Sequence, residues 1–459
     1  MRDRSSFVLP GPQWIGVTIL KLSAKLFGFS VVCLAISFCG TARAQEYCAP
    51  ACDTAQPSWM CDGNTDPCAD WLSSPFMLGD LGGLRSGLAE SGIVYNASLT
   101  NFYQGVTSGG NQQTFNNGGK LDQFVIFEGG KLGLNEGFMA ILHAETRYGE
   151  DVIMDAAPLA PVNGNLLYPS LNNETAITGL LFQQALSEEW ALSFGKFNAL
   201  DLWNMLYPQT GRGVTGFMNA SMILPLTMAR TFPLSTLGGG VLRMKEKQIQ
   251  GALVAYDSNN STTTSGFDEL FDNGAVVLGL WRFFTEFNEL PGSHLFGGTW
   301  ASGDFSSLDR LDWAFIPGQG ITAGQQSGSW SLFYVAEQKL MVDPCNPKRN
   351  VGLLSQWGLA DEETSPYRWT GNVALQAQGM IRGRDNDTLG VGYFYSGLSG
   401  QFKSLQRQFD VDNLQGGEIY YNAIITPWFH LTADLQVVEP SVEFNDTAVV
   451  FGLRAQLLL

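Results

Sequence analysis

Apolar and polar residues alternate with a period of two through much of this chain. From Phe138 to Tyr148, one face carries Phe138, Ala140, Leu142, Ala144, Thr146 and Tyr148, and the other Met139, Ile141, His143, Glu145 and Arg147. From Ile425 to Val438, Ile425, Pro427, Phe429, Leu431, Ala433, Leu435 and Val437 oppose Thr426, Trp428, His430, Thr432, Asp434, Gln436 and Val438. The last segment sets Val449, Phe451, Leu453, Ala455, Leu457 and Leu459 against Arg454 and Gln456. Leu389, Val391, Tyr393 and Tyr395 oppose Thr388, Gly390, Gly392 and Ser396. Successive side chains of a strand point to opposite faces, so each run predicts a strand with one apolar face. Polar stretches rich in Gly and Asn, at Thr107–Lys120, Ser258–Gly266 and Gly318–Ser329, predict loops. One short helix is expected over Leu81–Glu90. No fixed-period repeat is present, which argues against a propeller.

Composition narrows the class. Charged residues are 15% of the chain, against about 25% in ordinary soluble domains. Glycine is abundant (53 residues), aromatics reach 12%, and mean hydropathy is +0.01. A helical membrane protein would show long apolar runs, and a large secreted β-sandwich would carry more charge. A transmembrane barrel satisfies both observations, because each strand is apolar on one face only. In lipid every backbone polar group must be paired within the protein, which demands a closed barrel. Glu145, Arg147, Asp434 and Arg454 all fall on the polar face. On the lipid face near the midplane, a charge costs up to about 2–4 kcal/mol. The expected fold is therefore all-β, a transmembrane antiparallel β-barrel of about 16 to 18 strands. The formal net charge of −17 argues against nucleic acid as a partner.

The first 44 residues read as a secretory signal. Arg2, Arg4, Lys21 and Lys25 precede an apolar run from Leu26 to Cys39, followed by Thr41-Ala42-Arg43-Ala44. That run is too short to span easily, since about 20 residues are needed. Residues 45–75 form a Cys-rich extension ahead of a barrel over 76–459. Cys48, Cys52, Cys61 and Cys68 point to two disulfides with open pairing. A metal site is the alternative, but their spacing lacks the C-x2-C pairs of common zinc sites. Cys345 lies in Asp343-Pro344-Cys345-Asn346-Pro347, a loop by its prolines, and spacing names no partner for it.

Several motifs stand in order along the chain. They are Gly79-Asp80-Leu81-Gly82-Gly83-Leu84-Arg85, Gly195-Lys196-Phe197-Asn198-Ala199-Leu200-Asp201, Asp387-Thr388-Leu389-Gly390-Val391-Gly392-Tyr393 and Asp434-Leu435-Gln436-Val437-Val438-Glu439-Pro440. In this order they resemble the carbohydrate-selective porin family of OprB type, from about residue 76 to the end. Leu81 stands where the family pattern has Trp, and the Cys cluster lies outside that pattern. The resemblance implies a 16-stranded outer-membrane barrel and passive diffusion of monosaccharides and other small solutes. A general diffusion porin and a structural or adhesive barrel are the alternatives.

Passive passage needs no catalytic residue. Alternation puts Glu145, Arg147, Glu418, Asn422, His430, Asp434, Gln436 and Arg454 in the lumen, where they could meet sugar hydroxyls. Lys196 and Asn198, with Asp201, form a polar group at a strand end that reads first as a turn. The acids Asp268, Glu269, Asp272, Asp385 and Asp387 match no EF-hand loop and read as solvated loop residues. The only histidines are His143, His294 and His430, and neither a G-x-S-x-G elbow nor an H-E-x-x-H motif is present, so an enzyme is not expected. No metal or other cofactor is expected. The expected partners are outer-membrane lipid and solutes in transit, with monomer and trimer both open.

Overall fold

A computed structural model describes residues 71–169, 173–318, 320–442 and 445–459. The leader expected over 1–44 and the four clustered cysteines, Cys48, Cys52, Cys61 and Cys68, lie outside these residues.

The alternating segments form strands β1 (Ile93–Ser108), β2 (Phe115–Glu128), β3 (Phe138–Gly149), β4 (Thr175–Ala185), β5 (Trp190–Asn198), β6 (Ser235–Lys245), β7 (Gln248–Asp257), β8 (Ala275–Phe287) and β9 (Leu290–Ser306). A small hairpin, β10 (Ala314–Ile316) and β11 (Gly320–Thr322), interrupts the series. The wall resumes with β12 (Gln325–Val342), β13 (Asn350–Ala360), β14 (Tyr367–Gln378), β15 (Thr388–Leu398), β16 (Leu414–Thr426), β17 (Phe429–Glu439) and β18 (Ala448–Leu458). All but β10 and β11 make one closed antiparallel barrel of 16 strands. β1 closes it against β18, with Tyr103 opposite Leu453. Closure leaves no wall strand with an unpaired edge, as a lipid surrounding requires. Leu431, Leu435, Phe451 and Leu453 are exposed on the outside, while Thr432, Asp434, Gln436 and Arg454 point inward and are buried.

The two ends differ. At one end the connections are short, and two are two-residue turns, Glu246-Lys247 and Asn288-Glu289, with all four residues at positive φ. Such turns match the twist of paired strands. This is the end that faces the periplasm in bacterial barrels. At the other end lie the long loops.

Two of the long connections fold back into the barrel, the first over its described residues 150–169 and the second over 199–234. The second begins with helix α2 (Ala199–Leu206), which Asn198 caps by accepting from Asp201 N at 3.1 Å. Inner-wall glycines make room for it. A Cβ on Gly392 would overlap Met222 Cε, and one on Gly358 would overlap Thr227 Oγ1.

Helix α1 (Leu84–Glu90) sits at the short-turn end and starts three residues later than expected, because Leu81, Gly82 and Gly83 all take positive φ. Here the Gly79–Arg85 motif works as a seam latch. Asp80 accepts from Ser86 N at 2.8 Å, and Arg85 donates to Leu459 O at 2.7 Å and Tyr95 O at 3.1 Å, joining first and last strands.

Three expectations change. Thr107–Lys120 is a loop only over 109–114, because Phe115–Lys120 pairs with β1. Gly318–Ser329 contains β11 and the start of β12. Cys345 is disulfide-bonded, because pairing depends on Cα separation in the fold and not on sequence spacing.

Candidate functional site: the inward segments and the vestibule

The eight residues expected in the lumen, and Lys196 and Asn198 of the strand-end group, point inward, and most are buried by the returning segments. Glu418 accepts from the backbone N–H groups of Met218 (2.5 Å) and Asn219 (2.9 Å). Gln436 donates to Val162 O at 2.9 Å and accepts from Asn219 Nδ2 at 3.1 Å. It also donates to Asp434 Oδ1 at 2.9 Å. Arg454 donates to Gly213 O at 2.9 Å, and to Gly216 O and Thr432 Oγ1 at 3.0 and 3.1 Å. Arg147 pairs with Asp151 and donates to Tyr168 O at 2.5 Å. Lys196 donates to the carbonyls of Ile177 and Thr264 at 2.8 and 2.6 Å. These are directional anchors for backbone groups that burial would otherwise leave unpaired.

Glu145 and Asn198 belong to a charged cluster under α2. Lys120 bonds to Glu145 and lies 3.1 Å from Asp122. His143 bridges Asp122 (2.9 Å) and Asp201 (2.6 Å), and Arg212 Nη1 meets the other oxygen of Asp201 at 3.0 Å. Asn198 Nδ2 donates to Glu145 at 3.1 Å. Burial would raise the carboxyl of Asp201, but the charge and hydrogen bond of His143, with Arg212, hold it below its ordinary value. Ligand atoms of Asp122, His143 and Glu145 lie within 4.8 Å of one another, close enough for a metal. The Lys120 ammonium already supplies the positive charge there.

On the opposite wall the inward face is apolar. Leu200, Trp203 and Leu206 of α2 are buried, with Trp203 edge-on to Phe333 at 6.0 Å. Val254, Leu278 and Leu280 complete this core. Arg282, below it, donates to Leu206 O at 2.7 Å.

Beneath the inward segment, at the short-turn end, opens a vestibule of about 560 Å³. Amides dominate its polar wall: Gln209, Gln338, Asn350, Gln376 and Asn422, with Glu337 and Lys339 as its charged members and Phe284 and Tyr420 as its rings. Asn422 and His430 are the lumen candidates that line it. Asn422 Oδ1 accepts from Thr432 at 2.8 Å, and His430 Nε2 lies 3.2 Å from Pro427 O. Of the loop acids, Asp387 accepts from Tyr421, from Arg384 at 2.7 Å and from Ile424 N at 3.0 Å, while Asp385 pairs with Arg349 at 2.8 Å.

Sequence reasoning missed Lys120, Asp122 and Arg212. Lys120 and Asp122 stood in or beside a stretch read as loop, although Lys120, Asp122 and Phe124 keep the period of two. Arg212 lies in a segment without periodicity, and nothing local marks it.

No curated relative matches the chain. Its fold is similar to the high-pH structure of Pseudomonas putida OprB, with a TM-score of 0.71 and 18% identity over 84% of this chain and 99% of that one. The low-pH structure of the same protein gives a TM-score of 0.54 and 14% identity over the same shares of the two chains. At these identities the likeness speaks for the fold. The profile of the carbohydrate-selective porin, OprB family, matches residues 112–458, and the chain belongs to that family.

Proposed function

We propose that this outer-membrane porin passes monosaccharides and other small, neutral, hydroxyl-rich solutes by passive diffusion, and that the amide-lined vestibule is where they meet the protein on the periplasmic side. The vestibule carries this reading. Amides both donate to and accept from hydroxyls without attracting a counter-ion, and Phe284 and Tyr420 add ring faces. Passage requires contacts favourable enough to admit a solute and weak enough to release it. Neutral hydrogen bonds, worth about 0.5–1.5 kcal/mol each, fit that requirement. In this reading Glu145, Asn198, Glu418, Asp434, Gln436 and Arg454 act indirectly, by holding the inward segments that shape the path. Arg147 and Lys196 do the same for 150–169 and 258–274, and Asn422 and His430 face the solute.

Single-channel conductance in a planar bilayer tests the reading. Stable open steps that glucose reduces in a concentration-dependent way are expected. Open steps indifferent to glucose would make this a general diffusion porin, and no steps from heat-modifiable, folded protein would make it a structural barrel. Liposome swelling with Asn422→Ala should show altered glucose entry. Arg147→Ala should leave glucose entry near that of the parent protein.

A further inference from the structure

Two connections at the long-loop end, which faces outward from the cell, meet where β9 leaves the wall: residues 258–274 and 307–324. Glycine allows the approach. A Cβ on Gly303 would overlap Asn273 O, and Ala275 N donates to Ser302 Oγ at 3.0 Å. Both connections are tied at their bases. Ser307 N donates to Gly324 O at 2.9 Å, Trp313 Nε1 to Ser307 O at 2.8 Å, and Leu308 N to Glu363 O at 2.7 Å. In the other, Ser258 Oγ donates to Asn273 O at 2.6 Å and Asn259 Nδ2 to Glu269 O at 2.8 Å.

The apolar side chains point away from that framework. Leu311 is 90% exposed, Phe315 and Ile321 73% each, and Phe267 68%. Phe315 and Ile321 are cross-strand partners in the β10–β11 hairpin, so they share one face. Among the described residues β10 and β11 pair with no other strand, which leaves each with an edge of unpaired backbone groups. A two-stranded hairpin is marginal by itself in water. An apolar patch rimmed by polar residues marks an interaction site. The rim is one-signed: residues 258–274 and 304–324 hold Asp268, Glu269, Asp272, Asp304, Asp309 and Asp312 against one base, Arg310. All six acids but Asp309 are exposed. Such a set repels an anionic lipid surface and attracts a cationic chain.

We propose that this rim is a docking surface for a cationic, amphipathic polypeptide in extended conformation. The partner adds to the β10–β11 hairpin as a strand, seats its apolar side chains beside Phe315 and Ile321, and turns its lysines or arginines toward the acids. Strand addition takes affinity from backbone hydrogen bonds and specificity from alternate side chains. A chain that alternates basic and apolar residues presents one kind on each face, as this surface requires. The surface lies outside the lumen and is independent of which solute passes through it.

The experiment measures, by fluorescence anisotropy, binding of a labelled peptide of alternating lysine and leucine to the full-length protein, in detergent and in phosphatidylcholine bilayer discs, over a range of salt. Saturable binding in both settings that weakens with salt is expected. A peptide of alternating glutamate and leucine should not bind. Phe315→Ser with Ile321→Ser leaves every charge in place and should raise the half-saturating concentration of the lysine peptide about tenfold, because its apolar side chains lose their seat. Asp268→Asn with Glu269→Gln should instead flatten the salt dependence. Attraction by net charge alone would leave the serine pair binding like the parent protein, and that result in heat-modifiable, folded protein overturns the surface. If the pair does not fold, Phe315→Ser alone is read in the same way. Equal binding of the glutamate peptide overturns it too. So does binding in detergent that is lost in the bilayer, since lipid would then cover the patch.

Discussion

The inner wall grips the inward segment in two unlike ways. Across β7–β9 and β12 the contact is apolar: Trp203 and Leu206 bury against Val254, Leu278, Leu280 and Phe333. Across β13–β18 directional contacts are added to the packing of Phe217 on Tyr420 and of Met222 at Gly392: Gln356 reaches Ile223 O, Asn372 reaches Ser221 O, Glu418 takes two backbone N–H groups, and Arg454 takes two carbonyls. Burial is strong but non-directional, so it sets how firmly α2 lies on the wall. Hydrogen bonds to specific backbone atoms set where residues 213–223 cross the interior, and hence the shape of the path. Adhesion thus comes from both sides, and most of the directional anchors of residues 213–223 come from β13–β18.

That contrast can be broken from either side. The largest effect is expected from Trp203→Ala, since deleting a buried aromatic costs about 3–5 kcal/mol. The temperature of heat-modification on a gel should fall and residues 199–234 should become protease-sensitive. Removal of Arg454 should come next. It is fully buried near the carboxyl groups of Asp434 and Glu418, and its removal leaves the buried carbonyls of Gly213 and Gly216 without that partner, at about 1–3 kcal/mol each. Arg454→Met should widen the spread of unitary conductances more than it lowers thermal stability, because position is lost while the apolar grip remains. If Trp203→Ala scatters conductance and Arg454→Met does not, the division of labour is wrong. Gly392→Val should cost less, about 1–3 kcal/mol, by overpacking the seat of Met222, with lower glucose flux in liposome swelling as the readout.

The smallest effect concerns acid. The Asp201 carboxyl lies below its ordinary value in the folded protein. A depressed carboxylate contributes stability above its unfolded value, near ~3.9, and loses it as pH falls through the folded value. Protease sensitivity of residues 199–234 should therefore rise below about pH 4, and Asp201→Asn should flatten that acid limb. An unchanged acid limb in Asp201→Asn would assign it to other carboxyls.

The strand faces were legible from the alternation alone, and so was a closed barrel. The Asp387 motif was visible too, but its role was not. It is a turn anchor made by Tyr421, Arg384 and Ile424, two of them more than thirty residues away. The apolar grip also leaves a trace in the sequence. Ala275–Trp281 reads Ala-Val-Val-Leu-Gly-Leu-Trp, apolar on both faces, where a strand with water on its inner side would alternate.

What the sequence by itself determined is orientation. A period of two, with Glu145, Arg147, Asp434 and Arg454 on one face, decides which side chains avoid lipid, because placing a charge near the midplane costs more than any local preference returns. Only the tertiary structure decided what those inward residues touch. Glu418 and Met218 are 200 positions apart, and Arg454 and Gly213 are 241 apart. Nothing local encodes such a partner. It exists because two loops fold back into the barrel, exclude water from its wall, and leave their backbone groups to be satisfied by whatever polar side chains already point inward.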